Sequence, residues 1–155
     1  FMDGVANAAT IIIGKLKGQS NNKSIKIVAF KTLSLNTGFC LLICLAYYFF
    51  DHQIIRFYTI DNTIYTAFKS VEFIFITCLL FGSIAFTFDG VYIGIENTKL
   101  LRDTLLIATM FVYLPILHIQ NEMNLHGVWV ALCVWMIVRA LMPLTHFLYR
   151  NNTRC

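Results

Sequence analysis

Apolar residues in this chain gather into long runs separated by short polar breaks, with little of the strict alternation of a half-buried strand. Residues 1 to about 14 read as the C-terminal end of an apolar helix truncated at its start. Gly14-Lys15-Leu16-Lys17-Gly18 and the Asn- and Ser-rich stretch behind it then break the run. A second helix is predicted over 24–50, amphipathic at first with Lys26 and Lys31, then wholly apolar from Leu33 to Phe50. Asp51-His52-Gln53 closes it, and 54–65 reads as a mixed connector with an interfacial helix. Further helices are predicted over 66–95, 104–117 (with Pro115 near its end) and 127–149, the last two separated by a polar turn from Gln120 to His126. The long runs approach the roughly 20 residues that cross a bilayer as a helix. The predicted fold class is therefore all-α, a polytopic transmembrane helix bundle.

Composition agrees. Of 155 residues 58% are hydrophobic and only 13% charged, against roughly 25% charged in ordinary globular domains. The chain opens on Phe1-Met2-Asp3 inside apolar sequence, without a basic leader ahead of a small-residue cleavage site. It is expected to be a fragment whose N-terminal part is missing. The net charge of +4 does not indicate a nucleic-acid partner, because the basic residues fall in the breaks between runs. Lys15, Lys17, Lys23, Lys26 and Lys31 follow the first segment, Lys99 and Arg102 follow the third, and Arg150 and Arg154 end the chain. The other breaks hold little positive charge beyond Arg56. Since positive loops stay cytoplasmic, the C-terminus is expected inside the cell, with the lipid bilayer as the principal partner.

Against this background one acid stands out. Asp89 lies between the run Phe73–Phe88 and the shorter Val91–Ile95, and an ionisable residue within a membrane segment is by default a functional candidate. On a helical wheel Gly82, Ala85, Asp89, Tyr92 and Glu96 share one face, while Phe81, Ile84, Phe88, Val91 and Ile95 form a bulky apolar one. The first is expected to face protein and the second lipid. Gly90 and Gly94 make a Gly-x-x-x-Gly pair that, with Gly82, suits close helix packing. Two readings of Asp89 stay open: a carboxylate that only ties helices together, or an ion-coupling group, with Tyr92 and Thr87 as hydroxyl neighbours. Asp3 and Arg139 are also placed deep in their segments. Arg139 either pairs with a buried acid such as Asp89 or Asp3, or snorkels to the interface; Pro143, one turn on, removes a helical hydrogen bond. Glu72 and Lys69 read as solvated at a helix end.

Cys40, Cys44, Cys78, Cys133 and Cys155 show no metal or redox spacing, and His52, His118, His126 and His146 fall near helix ends. With no glycine-rich phosphate loop, nucleophile elbow or zinc spacing, neither an enzyme nor a cofactor or transition-metal site is expected.

Taken in order, Phe1-Met2-Asp3-Gly4-Val5-Ala6-Asn7-Ala8-Ala9 with Gly14 and Gly18, then Phe88-Asp89-Gly90-Val91-Tyr92-Ile93-Gly94, Arg102 before a new apolar run, His126-Gly127-Val128-Trp129 and Val138-Arg139-Ala140-Leu141 resemble the multidrug and toxic compound extrusion (MATE) transporters of the DinF-like branch. The resemblance implies a twelve-helix exporter of two six-helix lobes, coupled to H+ or Na+, in the bacterial inner membrane. This chain then holds the end of helix eight and helices nine to twelve, and the missing N-terminal lobe is a partner. Asp89 matches the family's helix-ten acid that takes part in cation binding, and the small-molecule substrate is amphiphilic or cationic. The sequence departs from that branch at Thr10, where Glu is frequent, and at Asp103, where Asn is. A lipid-linked-saccharide flippase of related fold, and a membrane assembly protein that does not transport, are the alternatives.

Overall fold

The computed structural model describes residues 1–58, 60–119 and 125–152, with side chains described through Tyr149. The described residues are helical throughout apart from short caps. Helix α1 spans Met2–Gly18, α2 Asn22–Tyr58 and α3 Asn62–Gly94. A fourth span is built from α4 (Thr98–Ile107), a π-helical stretch (Ala108–Tyr113) and α5 (Leu114–Ile119), and α6 runs Leu125–Asn152. Four of these units are long and apolar enough to cross a membrane: α2, α3, the composite Thr98–Ile119, and α6 over Leu125–Tyr149.

Several helices outrun the segments expected from the sequence, and the stop signals explain why. Helix α1 continues through Lys15 and Lys17, whose charges suit a helix C-terminus, and is closed by Ser20 at φ 55. Asn21 N–H then reaches back to Leu16 O (3.1 Å) and Ser20 N–H to Lys17 O (2.9 Å). Helix α3 ends the same way, with Glu96 at φ 57, Asn97 N–H on Tyr92 O (3.0 Å) and Glu96 N–H on Ile93 O (2.9 Å). In both cases a residue other than glycine takes the left-handed position that satisfies the last carbonyls. At its start α3 is capped by Asp61, whose carboxylate accepts from Thr63 N–H at 2.8 Å and from the Thr63 hydroxyl; the hydroxyl foremost, with the N–H, holds that carboxyl below its ordinary range.

Helix α2 is expected to stop at Phe50 but passes on to Tyr58, with non-helical backbone at Phe50 (φ −120, ψ 19). The π-helical stretch lies just upstream of Pro115. A proline ring crowds the carbonyl four residues before it and offers no N–H, which accounts for the wider register there. Of the polar turn expected at 120–126, residues 120–124 lie outside the described ones.

Helix α3 is the axis of the bundle. It packs against α1, α2 and α6, and a core of Ala9, Ile13, Ile25, Ala29, Phe88, Val91, Tyr92 and Phe147 joins all four helices at the end where α1 and α3 finish and α2 begins. This corrects the wheel. Phe88 and Val91, assigned to the lipid face, are 1% and 0% exposed, because a helix with three neighbours buries more than one face. At the same end Lys17 Nζ meets Glu96 Oε2 at 2.6 Å, joining the C-terminal ends of α1 and α3 and holding the Glu96 carboxyl below its usual range.

Candidate functional site

Asp89 lies five residues before the end of α3, about 7.5 Å along the axis. Its carboxylate meets Arg139 of α6 in an ion pair between side chains 19% and 14% exposed. Pairing, the first of the two alternatives for Arg139, is thus the arrangement seen. The register follows from the course of the chain: α3 and α6 run in the same direction, so Asp89 meets Arg139 and Tyr92 meets Pro143 and His146 further along.

The guanidinium is held by more than the carboxylate. Its Cζ stands 5.4 Å from the centroid of Phe86 and 5.3 Å from that of Trp135, within the range at which an aromatic ring attracts a cation. Trp135 is itself fixed, since its Nε1–H donates to Thr109 Oγ1 (3.2 Å) in the π-helical stretch. Arg139 Nε is buried and has no partner among the described residues.

The other sequence candidates fall in separate places. Thr87 turns away from Asp89: its hydroxyl donates to Ser83 O (2.7 Å) and accepts from Asn36 Nδ2 (2.9 Å) on α2. Tyr92 is fully buried; its hydroxyl donates to Pro143 O (3.1 Å) and pairs with His146 Nδ1 (2.7 Å). Asp3 is exposed on α1.

The glycines divide likewise. A methyl group at Gly90 would come within 2.4 Å of Ala6 O, and one at Gly94 within 2.9 Å of Ile13 and of Thr10 O, whereas Gly82 has nothing within 4 Å. Thr10 spans the same contact, donating to both Ala6 O (3.1 Å) and Gly90 O (2.9 Å). Gly90 and Gly94 thus allow α1 to lie against α3 and fix the height of Asp89; Gly82 takes no part in that contact.

Sequence inspection passed over Phe86, Trp135, Thr109, Asn36 and the pairing of His146. Asn36 carried a usable signal, since with Cys40 and Cys44 it forms a buried line of small polar residues at four-residue spacing. Lys69 is exposed, as expected, and bridges two partly shielded acids: its Nζ reaches Asp51 of α2 at 2.5 Å and Glu72 at 2.9 Å, with both carboxylate side chains 19% exposed. Among the described residues no three His, Cys, Asp or Glu side chains gather as metal ligands.

Chemically, the centre is a carboxylate in apolar surroundings whose present counter-charge is a flexible side chain from another helix.

A model of the MatE family matches residues 1–119, which takes in α1 to α5 and Asp89 and leaves Trp135, Arg139 and His146 beyond its end. No curated protein and no solved structure matches the chain. With more than half of its length matched and its helices long enough to span a bilayer, the chain belongs to the MatE family of ion-coupled membrane transporters, which are not enzymes.

Proposed function

We propose that this chain forms part of the second six-helix lobe of a DinF-like exporter, in which Asp89 binds the coupling H+ or Na+ and the cargo is an amphiphilic or cationic small molecule. The observation that carries the reading is the Asp89–Arg139 pair, with both side chains less than a fifth exposed. A carboxylate in such surroundings requires a counter-charge in every state of the cycle. The guanidinium supplies it in one state and the coupling ion in another. Alternating access then follows from one lobe rocking against a second, homologous lobe.

The basic residues support a cytoplasmic C-terminus. Lys15 and Lys17 lie at the end of α1 that the Lys17–Glu96 contact joins to the end of α3, next to the start of α4 with Lys99 and Arg102. One end of the bundle thus gathers the positive charge, and that end belongs on the cytoplasmic side.

The test is Asp89→Asn in the full-length protein, reconstituted in vesicles and driven by an imposed H+ or Na+ gradient. Loss of gradient-driven efflux at unchanged protein level is the expected outcome. Efflux at the wild-type rate, with wild-type dependence on the ion, would sink the coupling role.

A further inference from the structure

We propose that the groove between the end of α2 and the start of α3 binds a phospholipid with an ethanolamine headgroup, its ammonium on Asp51 and Glu72 and its phosphate on Lys69. The inference is independent of any role for Asp89, which lies toward the other end of α3. Lys69 Nζ stands between the two acids, 2.5 Å from Asp51 Oδ2 and 2.9 Å from Glu72 Oε2. One lysine thus serves two carboxylates. These contacts use one oxygen of each acid and two of the three N–H groups of the ammonium, so both signs of charge keep bonding capacity.

The groove has room for a ligand. Its volume is about 500 Å³, roughly that of sixteen waters at about 30 Å³ each, and more than a phosphoethanolamine group fills. Beside the charges it is lined by Tyr48, Phe73 and Ile76, of which Tyr48 is 69% and Phe73 82% exposed. Depth fits as well. The apolar run Leu33–Phe50 ends just before Asp51, and the run Phe73–Phe88 starts just after Glu72. The charges therefore lie where hydrocarbon gives way to headgroups, and the exposed rings lie where acyl chains begin.

The order of charges selects the headgroup. A bare cation meets Lys69 already seated between the acids, and an anionic headgroup meets two carboxylates. A zwitterion with a primary ammonium satisfies both signs, whereas the quaternary ammonium of choline has no N–H to give a carboxylate. Tyr47 supplies a second, separate observation. It stands one turn before Asp51 and packs its ring on Phe68 and Phe75, at centroid distances of 6.2 and 5.8 Å, on the face of α3 that Glu72 shares with them at helical spacing. Tyr47 is 7% exposed, and its hydroxyl is buried with no partner among the described residues. Such a donor costs stability until something supplies its acceptor. A phosphate oxygen does so, directly or through a water beneath it.

The experiment titrates the full-length protein in detergent with palmitoyl-oleoyl phosphatidylethanolamine or phosphatidylcholine and reads bound lipid by native mass spectrometry. The ethanolamine lipid is expected to bind about tenfold tighter, and Lys69→Gln to reduce that preference to about twofold or less. Tyr47→Phe keeps the ring packing. It is expected to weaken the ethanolamine lipid about threefold while the lipid-free protein melts at or above the wild-type temperature, a split that a tyrosine with only a packing role does not give. Equal affinity for the two lipids in the wild type overturns the proposal, as does a preference unchanged by Lys69→Gln, or wild-type affinity in Tyr47→Phe. Soluble glycerophosphoethanolamine competing as well as the lipid overturns the membrane as the source. If Lys69→Gln does not fold, the wild-type lipid comparison and Tyr47→Phe decide.

Discussion

Replacing Gly90 by alanine tests whether the α1–α3 contact holds the bundle together. The new Cβ meets Ala6 O at 2.4 Å and Ala6 C at 2.9 Å, both backbone atoms, while ordinary contact begins at 3.4 Å. No side-chain rotation relieves this, so α1 has to retreat by about 1 Å. The retreat stretches the 2.9 Å bond from Thr10 to Gly90 O beyond useful range, a loss of about 1 kcal/mol. Opened packing between the helices adds about 2 kcal/mol. Alanine's better helix propensity returns about 1 kcal/mol. The net expectation is a destabilisation of about 2 kcal/mol, or about 4–8 °C in the melting temperature at this size. Cys40, Cys44, Cys78 and Cys133 are buried and free, so a thiol-reactive fluorescent dye reports the transition in detergent. Gly82→Ala is the control: with nothing within 4 Å of its Cβ, it should melt at or slightly above the wild-type temperature. Gly90→Ala melting within a degree of wild type, or Gly82→Ala falling as far as Gly90→Ala, would refute the argument.

Two further outcomes follow from the ion pairs. Arg139→Gln leaves the Asp89 carboxylate without its counter-charge, at an expected loss of about 3 kcal/mol. The double variant with Asp89→Asn should recover most of that loss, since neither charge then remains; additive losses in dye-reported melts would rule out direct coupling. Glu96 titrates below its ordinary 4.5 because of Lys17. It therefore contributes stability that is full above pH 4.5 and lost as the pH falls through its lower folded value. Melts between pH 6 and about pH 3 should show this slope in the wild type and less of it in Glu96→Gln. An identical slope in the two proteins, or one insensitive to salt, would exclude Lys17–Glu96 as its source.

The spans were legible in the sequence because apolar runs of bilayer length admit few other folds. The interior charges were legible for a related reason: Asp89 and Arg139 stand alone in greasy segments, and such charges require partners. The wheel failed at Phe88 and Val91 because periodicity describes one helix and says nothing of how many neighbours surround it. The end of α1 was misplaced because the left-handed stop fell on Ser20 and not at Gly14, a choice fixed by the bonds to Leu16 and Lys17, whereas the end of α3 at about Ile95 was legible. The aromatic flanks of Arg139 could not be found by spacing, since Phe86 and Trp135 are two among many aromatics. Only the parallel register of α3 and α6 brings them to one guanidinium.

That register also sets the order of events while the protein is being made. Arg139 follows Asp89 by 50 residues in the chain, so at ribosomal rates of about 5–20 residues per second the arginine is polymerised about 2.5–10 s after the aspartate. Over that interval the newly inserted α3 carries an acid whose eventual counter-charge does not yet exist. The nascent helix must meanwhile stay in the translocation machinery, keep Asp89 protonated, or lean on lipid headgroups near its end. The contact of α3 with α6 therefore forms only once α6 has been made, and a ribosome stalled before residue 139 leaves an intermediate with an orphaned charge in the bilayer.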